Sequence, residues 1–443
     1  MIKTLRERFW YTSAFFKKYL LHIGLGLVLS LVLAFGYNYL SVYLPKSKPQ
    51  YRIGLIGQYS ASQLPSILTN YLNNGLVNIN ANMEAVPNLA ENWSIENNGN
   101  TYTFKLKPNL HWSDGNVVKV DDIKISIPGL TTEIQTPDII KFNLPTKFSP
   151  FPSLLTFPLV SSKGKIIGDY EIKLKQKTSG VITQITLDST KQKIIFTIYP
   201  NVSQALTAYK LGQVDMVPNL PANIDTESLK QYGLLKKGVN YNQEVMLFFN
   251  QADQTLKDKS IRQAIAYGIK DKTIGELAAK STLNPSSWAF NALTKDYPYN
   301  LSRTQELIKA PLDLELATLP ELLPIAEKLK SQLDSDKIKL NIKVVTSTPE
   351  QFQLFLNLYN IPTDPDQYRD WHSTQSSNIG KNNDEKIDKY LEDGRTTVDQ
   401  KERKKIYLEF QKVFSEELPA LPLFYPSYYD LSRKDSYFTL LNR

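Results

Sequence analysis

The stretch from Tyr19 to Leu44, YLLHIGLGLVLSLVLAFGYNYLSVYL, contains no Asp, Glu, Lys or Arg. As a helix it would be about 39 Å long, against a bilayer hydrocarbon core of roughly 30 Å. An uncharged run of this length divides the chain into a part before a membrane and a part beyond it. Arg6, Arg8, Lys17 and Lys18 come before it, among the aromatic Phe9, Trp10, Tyr11, Phe15 and Phe16. Tyr37, Tyr39 and Tyr43 cluster at the other end, as interfacial aromatic belts do. Lys46 and Lys48 come next, so the basic bias favours an inside N-terminus. The expected organisation is a cytoplasmic basic segment at 1–18, a single-pass anchor at 19–44 and a tether at 45–50. The bulk of the chain would then lie on the extracellular or periplasmic face of the cell membrane. A cleaved signal peptide is the alternative, but its apolar region would be unusually long and no convincing small-x-small site lies just after it. His22 reads as an interfacial residue.

Charge and rare residues remove several function classes. Residues 1–50 hold seven Lys or Arg and one acid, which is +6 of the net +8. The rest carries 45 basic and 43 acidic residues, so the basic character belongs to the N-terminus and nucleic acid is not an expected partner. There is no cysteine, which excludes disulfides, thiol catalysis, Cys-ligated metal and attachment through a lipobox Cys in this chain. Only His22, His111 and His372 are present, without metal-ligand spacing. No G-x-S-x-G elbow, phosphate loop or dinucleotide fingerprint occurs. The carboxylate pairs Asp121/Asp122 and Asp364/Asp366 could in principle do acid–base work, but their close spacing favours capping and turn roles. An enzyme is therefore the weaker expectation, and no cofactor and no metal site are expected.

The 443 residues allow about two or three domains. After the tether, Tyr51 to Gly57 reads as a strand and Leu64 to Leu76 as a helix, with Gly75 as its terminator. Trp93 and Ile95 alternate with polar residues before the turn-forming Glu96-Asn97-Asn98-Gly99-Asn100. Tyr102, Phe104 and Leu106 then recur at period two, so a hairpin with one buried face is predicted, stopped at Pro108. Asp121 or Asp122 sits where a helix N-cap would be expected. Residues 128–199 read as strands broken by proline. Ser203 to Leu211 reads as a helix capped by Ser203 and closed by Gly212. Val245 to Asn250 is a continuous apolar strand of the buried type. Asp258 opens a helix bearing Arg262, expected to form an ion pair or a carbonyl clamp. Leu312–Ala317, a helix near 322–333 and Ile338–Val345 make a β-α-β unit. Asp399 to Glu402 resembles a capping box that opens the last long helix.

Leu89-Ala-Glu-Asn-Trp93, then TYTFKLKPNLHWSDG from Thr101, then the Asp121-Asp122 pair resemble the signature of extracellular solute-binding proteins of family 5. These are the oligopeptide-, dipeptide- and nickel-binding components of ABC importers. The resemblance recurs in order at Gly75-Leu76-Val77, from Ala205 to Asp215, from Asp258 to Ala264, at Asp364-Pro365-Asp366, and from Glu416 to Tyr425. It implies a two-lobed periplasmic-binding-protein-like α/β fold, class II type and cluster C-like, behind the N-terminal transmembrane helix. Lobe I would take 51–245, with a β-rich subdomain at about 128–200. Lobe II would take 246–424, and 425–443 would return to lobe I.

The resemblance further implies a monomer that closes on a peptide or another small solute and delivers it to ABC permease subunits. In peptide binders of the family, an aspartate just before the D-P-D loop holds the ligand's α-amine. Here Tyr359-Asn360-Ile361 occupies that place with no acid, which leaves room for a neutral or anionic ligand. The expected cleft residues are Gln58 and Tyr59 after the first strand, Trp288 in P-S-S-W-A-F-N, and Tyr359, Asn360 and Asp364. For each aromatic, plain core is an equal alternative, and Asp364 also suits a turn. An anchored sensor or interaction module of the same fold is the rival function.

Overall fold

A single α-helix, Ile2–Tyr43, runs through both the basic segment and most of the apolar stretch. Its Thr12–Val32 portion is long and apolar enough to cross a membrane. The computed structural model describes residues 2–43 and 48–441, apart from 61–63, 66, 73, 126, 128, 136, 162 and 178. Leu44 and most of the expected tether therefore lie outside the described residues. The helix and the body, residues 50–443, are separate units.

Two large sheets organise the body. The seven-stranded sheet has the order Glu171–Gln176, Ile182–Asp188, Lys193–Tyr199, Gln50–Ile56, Met216–Pro221, Ser427–Ser432, Leu234–Val239. Gln50–Ile56 lies parallel to Lys193–Tyr199, with Ile53 opposite Phe196. Ile53, Leu55, Ile185, Leu187, Ile194 and Phe196 fill one core beneath it. The six-stranded sheet has the order Leu277–Ala278, Ala420–Tyr425, Gln243–Phe249, Leu354–Asn360, Leu312–Thr318, Ile338–Val344. Its expected β-α-β unit is present, with Leu312–Thr318 and Ile338–Val344 parallel around the helix Leu323–Leu333. Gln243–Phe249 is central and almost wholly buried. Val245, Leu247 and Phe249 face one core, and Met246 and Phe248 face another. Below, lobe I denotes the seven-stranded sheet with its associated elements, and lobe II the six-stranded sheet with its helices.

A smaller four-stranded sheet, Ala90–Glu96, Thr101–Leu106, Ile139–Asn143 and Thr131–Gln135, contains the predicted hairpin. Tyr102, Phe104 and Leu106 are buried as the period-two pattern requires, and Asn97, Asn98 and Gly99 take positive φ at the turn. The β-rich region falls differently from expectation. The small sheet is built from 90–143, whereas 171–199 joins the large sheet, because the alternating apolar faces of those strands are buried against Ile53 and Leu55. The Asp121–Asp122 pair opens no helix. It lies exposed on a 3-10 turn, Val120–Asp122, that leads into a two-residue strand.

Local capping obeys the chemistry of the side chains. Asn201, not Ser203, caps Val202–Lys210 by accepting from the Gln204 N–H, while Gly212 takes the expected positive φ just past the C-terminus. Asp399 accepts from the Glu402 N–H and caps Gln400–Glu417. Gly75 has a different role from helix termination. A Cβ there would come within 2.6 Å of the Thr156 carbonyl carbon and oxygen, so the position requires close backbone approach. Arg262 is the expected carbonyl clamp. Its guanidinium, 2% exposed as a residue, donates to the carbonyls of Leu256, Lys257, Glu417 and Leu418, tying the helix Lys259–Gly268 to the end of Gln400–Glu417.

Candidate functional site

The chain passes from the seven-stranded sheet to the six-stranded sheet between Val239 and Gln243, and returns between Tyr425 and Ser427. The two crossings run side by side. Asn240 N–H donates to the Pro426 carbonyl at 2.9 Å, and the Tyr241 and Tyr425 rings lie 5.3 Å apart. Asn284 Nδ2 holds the outward crossing through the Tyr241 carbonyl and Asn242 Oδ1, and the Ile361 N–H donates to the Asn242 carbonyl. Two short connections side by side are the geometry that a hinge requires, because rotation between two parts then needs dihedral changes in only a few residues.

Away from the hinge, the lobes meet again. Trp288 N–H donates to the Asn82 carbonyl at 2.9 Å, Ser149 N–H to the Arg395 carbonyl at 2.9 Å, and Gln400 Nε2 to Glu84 Oε1 at 2.9 Å. The Arg395 guanidinium lies 4.2 Å over Tyr368 and 5.1 Å over Phe148, and it donates twice to Asp366 Oδ2. Arg403 is buried beside it, donating to both oxygens of Asp364, to the Gly394 carbonyl, and lying 5.5 Å over Trp288. Burial works against the Arg403 charge, yet Asp364 outweighs it and raises the guanidinium above its ordinary range. Asp366 differs: burial raises its carboxyl, and Arg395 offsets this only in part. Contacts thus join the two parts both at the crossings and at a second place away from them.

The expected cleft residues are dispersed. Gln58 is exposed just beyond Gln50–Ile56, and Tyr59 is half-buried, its hydroxyl donating to the Ile56 carbonyl. Trp288 stands at the meeting of the lobes. Asn360 is exposed and accepts from Gln243 Nε2 at 2.7 Å. Tyr359 corrects the expectation: it packs in the helix-side core of lobe II, 5.5 Å from Trp371, and its hydroxyl donates to Asp370. Alternation along the strand turns its ring to that core. Asp364 is likewise occupied by Arg403 and not presented as a free carboxylate.

Sequence reasoning passed over Glu244. It sits one residue before the apolar run and opposite Tyr359, is 0% exposed, and neither carboxylate oxygen has a hydrogen-bond partner among the described residues. The Tyr425 hydroxyl nearby also has none. Burial alone pushes the Glu244 carboxyl well above its usual range. An acid heading an otherwise apolar strand was the available signal. Among the described residues, no group of three or more His, Asp or Glu is arranged to hold a metal ion.

The family model for bacterial extracellular solute-binding proteins, family 5 (middle), matches residues 84–184 and 189–380. The chain belongs to that family. It is accordingly a solute-binding protein without catalytic activity. The dipeptide-binding protein of Escherichia coli is 23% identical, with 95% of each chain covered. Two solved structures share the fold. One is NikZ from Campylobacter jejuni in complex with Ni(L-His), with a TM-score of 0.68, 21% identity, and coverage of 87% of this chain and 94% of that one. The other is the oligopeptide-binding protein AppA from Bacillus subtilis in complex with a nonapeptide, with a TM-score of 0.65, 18% identity, and coverage of 88% and 96%.

Proposed function

We propose that this solute-binding protein captures a peptide or a similar small solute between its lobes and delivers it to the permease subunits of an ABC importer. The double crossing at Val239–Gln243 and Tyr425–Ser427 carries the reading, since it lets two sheets close on a ligand without breaking either core. The helix Ile2–Tyr43 anchors the chain, N-terminus inside and body outside, and the working unit is a monomer. Gln58, Tyr59, Trp288 and Asn360 line the groove, while Tyr359 and Asp364 support its wall from behind. A ligand amine finds no free carboxylate in Tyr359-Asn360-Ile361, so recognition rests on aromatic faces and neutral hydrogen bonds. Native mass spectrometry of the full chain in detergent, with peptide pools and then with Ni²⁺-histidine, tests this. A retained or captured solute mass supports import, and a chain that stays empty throughout sinks it. The engaged state of Asp364 and Tyr359 favours a second reading, a sensor that reports to a partner through the closed surface. Co-purification with a signalling protein and not with a permease would select it.

A further inference from the structure

Lobe I carries an apolar and basic patch at the end of its sheet where the chain enters. Gln50–Ile56 starts at that end, and its Arg52 carbonyl accepts from the Asp215 N–H at 2.8 Å, so the segment before Met216 lies alongside it. Antiparallel pairing brings two more segments to the same end: Met216 lies opposite Ser432, and Ser432 opposite Leu234. Leu211, Tyr232 and Leu234 are gathered there, 69%, 39% and 48% exposed. Packing beneath holds them outward. The Tyr209 hydroxyl donates to the Tyr232 carbonyl at 3.3 Å, the Arg433 guanidinium covers the Tyr209 ring and donates to the Tyr209 carbonyl, and Gly233 has no room for a Cβ against the Tyr209 hydroxyl and the Ser432 carbonyl. Single exposed leucines are ordinary, but large apolar side chains gathered at one place and fixed toward water mark an interaction surface.

Cations surround them. Lys210, Lys230, Lys236, Arg433 and Lys434 come from the same three segments, against Asp215 and Asp435. Asp215 is held by Arg52 and Arg433, and Lys230 pairs with Glu227. Lys210, Lys236 and Lys434 are exposed and have no ion-pair partner among the described residues, and the Lys210 ammonium lies 4.9 Å over the Tyr232 ring. Apolar tips ringed by lysines suit a surface that is oily below and negatively charged above.

Chain length says which surface is within reach. The uncharged stretch ends at Leu44 and Gln50–Ile56 begins six residues later. Fully extended, six residues span about 20 Å. With the apolar stretch in a bilayer, the entry end of lobe I cannot leave the lipid surface by more than about that distance. Across the sheet, Leu234–Val239 is three strands from Gln50–Ile56, or about 14 Å, so the patch falls within the same reach.

We propose that this end of lobe I, through Leu211, Tyr232 and Leu234 with Lys210, Lys236 and Lys434, rests on the anionic headgroup surface of the bilayer that holds the N-terminal helix. The proposal rests on the anchor reading above and goes beyond it: the body is oriented on the membrane instead of swinging on its tether. Lobe I is then the fixed lobe, and rotation at the crossings moves lobe II.

The chain has no cysteine, so a single one can carry a dye. The full chain is placed in lipid nanodiscs of phosphatidylcholine, with or without phosphatidylglycerol, containing headgroup spin-labelled lipid as quencher. The dye sits at Gln213→Cys, beside the patch, or at Ser331→Cys, exposed on lobe II. In discs with phosphatidylglycerol, quenching at 213 should exceed that at 331 about threefold, and high salt should remove most of the difference. Lys210→Glu, Lys236→Glu and Lys434→Glu together should do the same, as should Leu211→Ser with Leu234→Ser. The salt titration needs no variant of the patch, so it decides even if one folds badly. A chain that does not co-elute with the discs sinks the anchor reading and this proposal together. Co-elution with equal quenching at 213 and 331, or with a difference indifferent to anionic lipid and salt, overturns this proposal alone. A signal at 213 that follows the number of chains per disc instead of the lipid also overturns it and assigns the patch to a second copy.

Discussion

Replacing Glu244 with Gln should remove one large contribution to the pH dependence of stability. The native carboxyl is fully buried without a hydrogen-bond partner among the described residues, and burial raises it well above the ordinary range. In the unfolded chain the same group ionises near its usual value of about 4.3. Above that pH the native state therefore keeps a proton that the unfolded state has lost. The stabilising difference is complete below the unfolded pKa and is lost as pH rises toward the native one, at about 1.4 kcal/mol per pH unit. Gln is neutral in both states and of similar size, so the two proteins should be nearly equal near pH 4. The variant should then gain on the parent as pH rises through 5 and 6, with a slope of up to about 1.4 kcal/mol per pH unit until the native carboxyl ionises. Urea denaturation at pH 5, 6 and 7, monitored by tryptophan fluorescence, measures the difference, and all other titrations cancel between the two proteins. Trp371 is a local reporter, packed 5.5 Å from the Tyr359 ring opposite Glu244. A difference that stays constant from pH 5 to 7 would refute the reasoning and show that Glu244 is ionised and compensated in the native state.

The packing leads to three further expected outcomes. Arg403→Met should cost about 3–5 kcal/mol of unfolding free energy, because it strands Asp364 inside a buried pair; Arg403→Met with Asp364→Asn should recover part of that loss in the same denaturation assay. Arg262→Met should cost a comparable few kcal/mol and lower the melting temperature, since it leaves carbonyls of Leu256, Lys257, Glu417 and Leu418 without their donor. Gly75→Ala should destabilise by about 1–3 kcal/mol by calorimetry, because the added Cβ collides with backbone at Thr156 that cannot swing away.

Local chemistry made much of the body readable in advance. Period-two alternation placed Tyr102, Phe104 and Leu106 on a buried face, and the Asn-Asn-Gly run placed the turn. The hydrophobic runs around 312–345 announced a β-α-β unit, and Arg262 could be read as an ion pair or a carbonyl clamp, of which the structure forms the clamp. The Asp121–Asp122 pair failed as a cap because a good N-cap permits a helix without compelling one, and the next element is a short strand, Ile123–Lys124. The candidate cleft residues could be named from the sequence, but the aim of each side chain depends on which face of the strand meets which core, and Tyr359 faces the helices.

The sequence by itself determined whatever depends on near neighbours along the chain: the N-terminal helix with its uncharged stretch, the hairpin, the caps at Asp258 and Asp399, and the alternation of the strands. The tertiary structure decided which sheet received 171–199, the pairing of Arg403 with Asp364 and of Arg395 with Asp366, and the isolation of Glu244. The reason is physical: burial and charge pairing depend on distances across space, and segments as far apart as Trp288, Asp364 and Arg403 share an environment only once both sheets have formed.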